Sequence, residues 1–247
     1  MFGFFKGKSK RVDEEIDLSV LQTDIHSHFI PGVDDGSQSM EESISLLKQL
    51  KELGYKKVIT TPHIYYDSYL DGYDILYKKL EELKLKLEEN NIYIEIVLSG
   101  EYLLDDDIKG RVEKNQILSF GENYLLFEFP MRNEPMGYEE WLFDLQLSGY
   151  NLILAHPERY TFLNNDIKKY SKLKDRGILF QVNIASFSGY YGENIQKVAE
   201  KLTNENLVDL VGTDCHGQRH IDALKKSLHS PIFKQLINSG RLINNKL

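Results

Sequence analysis

The chain has 247 residues, is 41% hydrophobic, carries a formal net charge of −8 and holds one cysteine, Cys215. That length suits one large domain with a sizeable core, and a lone cysteine excludes an internal disulfide and fits a reducing cytoplasm, the expected compartment. The acidic balance, with no stretch that gathers the basic residues, argues against a general nucleic-acid surface, which needs a positive field.

An acidic protein can still handle a phosphate where metal ions supply the positive charge locally. No apolar run approaches the length of a membrane-spanning helix.

Residues 1–17 are expected to form a flexible tail ahead of a single domain over 18–247. Met1 to Arg11 reads MFGFFKGKSKR. A signal peptide needs basic residues first and a longer apolar stretch after them, and here the order is reversed. A weak membrane-surface or partner contact through Phe2, Phe4, Phe5 and the lysines is the alternative to a free tail. Gly3 to Ser9 falls one residue short of a G-x-x-x-x-G-K-[ST] phosphate loop and has no strand before it.

Leu18 to Ile25 then reads as a first strand. Ser39-Met-Glu-Glu42 fits a capping box, followed by Met40, Ile44, Leu47 and Leu50 at helical spacing. Lys57 to Thr61 is a short strand. Tyr73, Leu76, Tyr77, Leu80, Leu83 and Leu87 mark a long amphipathic helix. Ile92 to Leu98 is a β-branched strand. The stretch from Leu98 to Tyr124 has no assignable pattern. Tyr124 to Phe129 is a strand, Tyr138 to Leu147 a helix, and Asn151 to Ala155 a strand. A helix over Asp166 to Arg176 leads to the strand Ile178 to Val182. Another over Asn194 to Leu202 leads to the strand Leu207 to Gly212. One last helix is expected over Ile221 to Ile237. Strand–helix alternation implies a parallel sheet. Seven strands in this order suggest a closed or nearly closed barrel, with an open doubly wound sheet as the alternative.

The metal-binding residue types fall at the strand ends. His26 and His28 follow the first strand, His63 the second and Glu101 the third. Glu128 lies near the end of the fourth, His156 follows the fifth, and Asp214 and His216 follow the seventh. Five of the 7 histidines therefore sit just past a carboxyl end. In a parallel barrel those ends converge on one face, where active sites form. A buried Glu128 within Leu125-Leu-Phe-Glu-Phe129 also requires a partner, because an unpaired buried carboxylate costs several kcal/mol. Strand alternation aims both imidazoles of His26-Ser27-His28 to one side. Glu101 and Asp214 could complete the shell of an ion held there. The donors are nitrogen and oxygen without a thiolate run, which favours manganese, iron, magnesium or zinc over a structural cysteine site. Ions about 3.5–4 Å apart suit in-line displacement at phosphorus.

These residues, in this order, resemble the polymerase and histidinol phosphatase (PHP) family. The resemblance rests on Asp24-Ile-His26-Ser-His28, Val33-Asp-Asp-Gly36, Thr60-Thr-Pro-His63, Gly100-Glu101, Phe127-Glu128-Phe129, Ala155-His156-Pro-Glu-Arg159 and Thr213-Asp-Cys-His216. It spans about residues 22 to 216. Within the family the chain looks like the manganese-dependent bacterial protein-tyrosine phosphatases of capsule and exopolysaccharide production. The resemblance implies a distorted seven-stranded (β/α)7 TIM-like barrel, the PHP fold, holding three Mn2+ ions. It implies His26, His28, Glu101 and Asp214 on the first ion. Glu101 bridges to the second, with Glu128 and His156, and Asp35, His63 and His216 hold the third. The family aspartate matches the second of the Asp34-Asp35 pair, and the sequence alone leaves Asp34 open. Arg159 and Arg219 are implied to bind the phosphate. The implied substrate is a phosphotyrosine protein, a bacterial tyrosine kinase with a phosphorylated tail.

Rival mechanisms fail on spacing. A cysteine-dependent tyrosine phosphatase needs an arginine six residues after its nucleophile, and six after Cys215 is Ile221. Nothing marks the thiol as activated, and no G-x-S-x-G elbow exists. The enzymatic alternative is a histidinol-phosphate or other small-metabolite phosphatase. The non-catalytic alternative is a metal-stabilised regulatory module, which should have lost some ligands, whereas every expected position here carries a competent side chain. Tyr65, Tyr66, Tyr69, Tyr102, Tyr160, Tyr190 and Tyr191 lie in loops after strands, where rings could wall a phosphotyrosine site or simply pack.

Overall fold

The computed structural model describes residues 16–65, 67–69, 72–163 and 166–247. The expectations for the tail, for Phe2, Phe4 and Phe5, for Gly3 to Ser9 and for Tyr66 lie outside the described residues.

The strands are β1 (Thr23–Asp24), β2 (Lys57–Thr60), β3 (His63–Ile64), β4 (Glu95–Leu98), β5 (Glu101–Leu103), β6 (Tyr124–Glu128), β7 (Asn151–Ala155), β8 (Leu179–Asn183) and β9 (Leu210–Gly212). The helices are α1 (Met40–Glu52), α2 (Asp74–Glu89), α3 (Ile108–Glu113), α4 (Tyr138–Leu147), α5 (Ile167–Asp175), α6 (Glu193–Asn204), α7 (Gln218–Ser227) and α8 (Pro231–Asn238). Every pairing between these strands is parallel, in two sheets ordered β1-β2-β4 and β3-β5-β6-β7-β8-β9. It is an α/β architecture, in which helices cover a parallel sheet whose strands are apolar on both faces.

Two strand positions are split. Thr61-Pro62 separates β2 from β3, and Ser99-Gly100 separates β4 from β5. The breaks lie side by side: Ser99 N–H donates to Thr60 O at 2.9 Å and Glu101 N–H to Pro62 O at 3.0 Å. Among the described residues, nine short strands thus occupy the places where seven were expected. The inner faces of both sheets share a small core of Ile25, Ile59, Phe120, Leu126, Ile153, Ala155 and Leu210. Just beyond β1 and β9 the two following segments meet. Asp214 N–H donates to His26 O at 2.8 Å, His28 N–H donates to Cys215 O at 3.1 Å, and Ser27 and Cys215 form a parallel bridge.

Capping follows the sequence. Ser39 accepts from Glu42 N–H at the start of α1, and Asp166 from Lys168 N–H at α5. Glu42 reaches back to Gln38 N–H rather than to the Ser39 amide, a displaced form of the capping box.

Two expectations are corrected and one unassigned stretch is filled in. Leu18 to Ile25 is not one strand: Leu18–Val20 is a 3-10 turn capped by Asp17, and Gln22 takes φ 57°, so extended backbone begins only at Thr23. The last helix is two. Pro231 has no N–H to continue α7, and Ser230 caps α8 through Phe233 N–H instead. The unassigned stretch from Leu98 to Tyr124 holds β5, α3 and an antiparallel bridge of Phe120 with Tyr124. Its elements are too short for a periodic signal to develop.

Candidate metal centre

The parallel registers bring the strand ends together. β3 pairs His63 with Glu101, β5 pairs Leu103 with Glu128, and the β1–β9 junction sets His26 and His28 beside Asp214. Four overlapping groups result, each with ligand atoms within 4.8 Å of one another: His26, His28 and Asp214; His26, Glu101 and His156; His63, Glu101 and Glu128; and His28, Asp35, His63 and His216. All nine side chains named from the sequence as candidate metal ligands lie in these groups.

Glu101 is at the middle. Its Oε2 lies 3.2 Å from His26 Nε2, 3.5 Å from His28 Nε2 and 3.0 Å from His63 Nδ1, and its Oε1 lies 2.9 Å from His156 Nε2. Glu128 approaches His63 Nδ1 at 3.5 Å and His156 Nε2 at 3.9 Å. Asp35 Oδ1 lies 3.3 Å from His63 Nε2 and 3.2 Å from His216 Nε2. Two of these residues sit on unusual backbone. His156 has φ 34° and Asp214 φ 47°, a region that non-glycine residues enter at a cost and that recurs at functional sites.

The Asp34-Asp35 pair divides its work. Asp34 turns inward: Oδ2 accepts from His28 Nδ1 at 2.7 Å and from His63 N–H at 3.2 Å, and Oδ1 accepts from Gly36 N–H at 2.9 Å. Burial raises the Asp34 carboxyl, but the hydrogen bond and charge of His28, with the two amides, hold it down at about 2. Asp35 faces the cleft. Gly36 permits this turn, since a Cβ there would meet His28 Cβ and O at 2.4 Å.

A second set of polar side chains, not among the residues named from the sequence, orients the ligands. Gln181 Oε1 lies 2.8 Å from His26 Nδ1, which leaves His26 Nε2 to face Glu101. Gln181 Nε2 donates to Asn183 Oδ1, and Asn183 Nδ2 donates to Asp214 Oδ2 at 2.7 Å. Gly212 leaves room for this contact, because a Cβ there would stand 2.8 Å from Gln181 Nε2 and 2.9 Å from His26 Cβ. Asp24 accepts from Thr213 N–H and Oγ1–H, and burial pushes its carboxyl up to about 6 against those bonds. Gln181 and Asn183 belong to an apolar strand, and their alternate spacing on β8 was the available signal.

The donors suit divalent cations. Glu101 Oε2, His63 Nδ1 and His156 Nδ1 are buried and have no hydrogen-bond partner. Burial raises the Glu101 carboxyl, yet the charge of His26, the contact of Oε1 with His156 Nε2 and the nearby His26 and His28 imidazoles hold it well below the usual carboxylate range. The reciprocal effect acts on His63: burial lowers its imidazole, but Glu101 and Glu128 raise it to about 10. Carboxylates that draw protons this strongly would equally draw a cation, which takes the neutral imidazole and releases the proton. Nitrogen and oxygen donors without thiolate fit manganese, iron, magnesium or zinc.

The centre opens into a cleft of about 660 Å³, walled by Tyr65, Phe129, Met131, Arg159, Tyr191 and His220 around the candidate ligands. Arg159 Nη1 donates to Asp214 Oδ2 at 3.1 Å, and its guanidinium lies 4.7 Å from the Tyr191 ring centre. Tyr65 stacks on His63 with centroids 5.1 Å apart. Arg219 is elsewhere: it is exposed and lines a separate groove with Tyr190, Asp222 and Lys226. Among the described tyrosines named from the sequence, Tyr65 and Tyr191 reach the cleft, while Tyr102, which lies on β5 rather than in a loop, and Tyr160 are buried in the core. His220, four residues after His216, was not anticipated. Its Nδ1 accepts from His216 N–H at 3.4 Å, and burial pushes its imidazole down to about 4. Cys215 is fully buried, burial pushes its thiol up, and its Sγ lies 3.6 Å from Gly217 O.

Comparison with known proteins points one way. Residues 22–230 match the family described as capsular polysaccharide synthesis, CpsB/CapC. CapC of Staphylococcus aureus is 32% identical over 194 residues, covering 78% of this chain and 76% of that protein. Tyrosine-protein phosphatase YwqE of Bacillus subtilis is 28% identical over 229 residues, covering 89% and 90%. A solved structure from the pair YwqE of Bacillus subtilis and CpsB of Streptococcus pneumoniae, described as unique metal-dependent tyrosine phosphatases, superposes with a TM-score of 0.78. It has 26% identity and covers 87% of this chain and 90% of that one. A phosphotriesterase homology protein of Escherichia coli, at 15% identity and a TM-score of 0.52 over 89% of this chain and 92% of its own, shares the fold.

Proposed function

The chain belongs to the CpsB/CapC family of capsular polysaccharide synthesis, and we propose that it is a metal-dependent protein-tyrosine phosphatase that does not use its cysteine. One observation carries the reading: eight metal-competent side chains gather around a ninth, the buried Glu101, beside a cleft whose walls hold one arginine and two tyrosines. The bridge of Ser27 with Cys215 supports treating both sheets as one distorted seven-stranded barrel.

The groups suit three divalent ions, manganese being our assignment. His26, His28, Asp214 and Glu101 would hold the first. Glu101, Glu128 and His156 would hold the second, and Asp35, His63 and His216 the third. Bound there, such ions supply positive charge to phosphoryl oxygens and lower the pKa of a water. The chain's own residues do the rest. Gln181 and Asp34 fix the His26 and His28 rings by their Nδ1 atoms, so that both Nε2 atoms face inward. Arg159, held between Asp214 and the Tyr191 face, presents a planar fork suited to two phosphate oxygens. Tyr65 and Tyr191 offer rings to either side of an aromatic ester.

Thiolate chemistry has no place in this arrangement, because Cys215 is buried and its thiol is pushed away from ionisation. The substrate we assign is a phosphotyrosine in a flexible segment, the tail of a bacterial tyrosine kinase that controls capsule or exopolysaccharide synthesis, in the cytoplasm. The test is turnover of a phosphotyrosyl peptide against histidinol phosphate with added manganese. The peptide should be hydrolysed much faster; faster hydrolysis of histidinol phosphate would overturn the assignment.

A further inference from the structure

We propose that the groove beside the metal cleft is a docking subsite for an acidic residue flanking the phosphotyrosine of a substrate peptide, held by Arg219 and Lys226. The proposal rests on the phosphatase reading and deepens it by naming a substrate class.

The groove has a volume of about 310 Å³ and runs along α7 from Arg219 to Lys226. These two residues and Asp222 are exposed and fall at helical spacing on one face. Seven residues of helix separate the two cations by about 10 Å, the reach of about three residues of extended peptide. Asp222, the one acid lining the groove, accepts from Gln218 Nε2 at 3.0 Å. Neither Arg219 nor Lys226 has an ion-pair partner among the described residues, so the groove presents net positive charge on a chain of net charge −8.

Basic residues on an exposed helix are ordinary. What distinguishes this pair is its place. Tyr190, 41% exposed, lines the groove, and its ring lies 4.9 Å from Tyr191 and 5.0 Å from His220. Tyr191 and His220 line the metal cleft. The two depressions therefore share one aromatic wall, and a peptide whose phosphotyrosine enters the cleft can cross Tyr190 into the groove. An acidic side chain there would meet two unpaired cations.

The experiment compares three substrates with the manganese-loaded full-length chain: para-nitrophenyl phosphate, a phosphotyrosyl peptide with Glu at the flanking positions, and the same peptide with Ala. The wild-type protein should prefer the Glu peptide in kcat/KM, with a preference that fades as salt is raised, since exposed charges are screened. Lys226→Glu should raise KM for the Glu peptide by about two- to five-fold, the size of one exposed charge pair. It should leave para-nitrophenyl phosphate and the Ala peptide unchanged. Arg219→Ala should likewise raise KM for the Glu peptide, by more than any effect it has on para-nitrophenyl phosphate. Equal kcat/KM for both peptides in the wild type overturns the subsite. So does an Arg219→Ala variant that loses as much activity on para-nitrophenyl phosphate as on the Glu peptide, because that places Arg219 on the phosphate itself. Absence of any manganese-dependent turnover of para-nitrophenyl phosphate overturns the phosphatase reading and the subsite with it.

Discussion

His63 and Glu101 are register partners on neighbouring parallel strands, and the Nδ1 atom of His63 lies 3.0 Å from Oε2 of Glu101. The pairing exists because two strand breaks, at Thr61-Pro62 and Ser99-Gly100, lie side by side and advance both residues together. Neither buried atom has a hydrogen-bond partner. Unpaired buried polar atoms in such proximity suit a cation between or beside them.

Metal removal follows directly. Treatment with a chelator should abolish phosphatase activity and lower the melting temperature, and manganese should restore both, because an ion bound to the folded state alone adds stability. Glu101→Gln, which removes the charge shared by two of the proposed sites, should lower the metal content found by elemental analysis and reduce turnover by two orders of magnitude or more, roughly the scale of losing a ligand-supporting group or worse. Full activity in metal-free protein would sink the mechanism.

Arg159 is proposed to meet phosphate rather than metal. Arg159→Ala should keep its metals and its fold and lose about ten- to a hundred-fold in kcat/KM, corresponding to roughly 1.5–3 kcal/mol for a charge-assisted contact. Arg159→Lys should recover little, since an ammonium cannot reproduce a two-pronged fork. If Arg159→Ala arrives without its metals, its bond to Asp214 at 3.1 Å is its main role and the phosphate assignment fails.

Cys215 should be dispensable to chemistry. Cys215→Ser is expected to retain metal-dependent turnover at a cost of about 1–3 kcal/mol in stability, the penalty for placing a hydroxyl in a fully buried thiol site. Denaturant unfolding measures the cost, and alkylating reagents should leave the native wild-type enzyme active. A folded, metal-loaded Cys215→Ser protein without activity would refute this.

Gly36 allows the Asp34-Asp35 turn to close against His28. A methyl group there would stand 2.4 Å from His28 Cβ, so Gly36→Ala must displace either the loop or the imidazole. We expect a loss of about 1–3 kcal/mol from overpacking together with lower metal content. Unchanged stability and metal stoichiometry would show that the turn has more slack than the geometry allows.

Residue type and local periodicity made much of this protein legible in its sequence. The order of strands and helices, the cap at Ser39, and the placing of His, Asp and Glu just past strand ends are all short-range features. α4 and β7 run over the residues that the pattern alone marks out. The apolar spacing on both sides of Pro231 hid the division of the last helix. Tertiary structure decided the rest, because these choices depend on where a side chain points once distant segments meet. Asp34 and Asp35 are chemically identical, and only the return of the loop onto His28 separates the orienting carboxylate from the one facing the cleft. Gln181 reaches His26 across 155 residues of chain, a contact that no local spacing encodes. Arg219 and His220 are neighbours in sequence, but the turn into α7 directs His220 into the cleft and Arg219 onto the adjoining groove, a difference of direction set by the packing of one helix end.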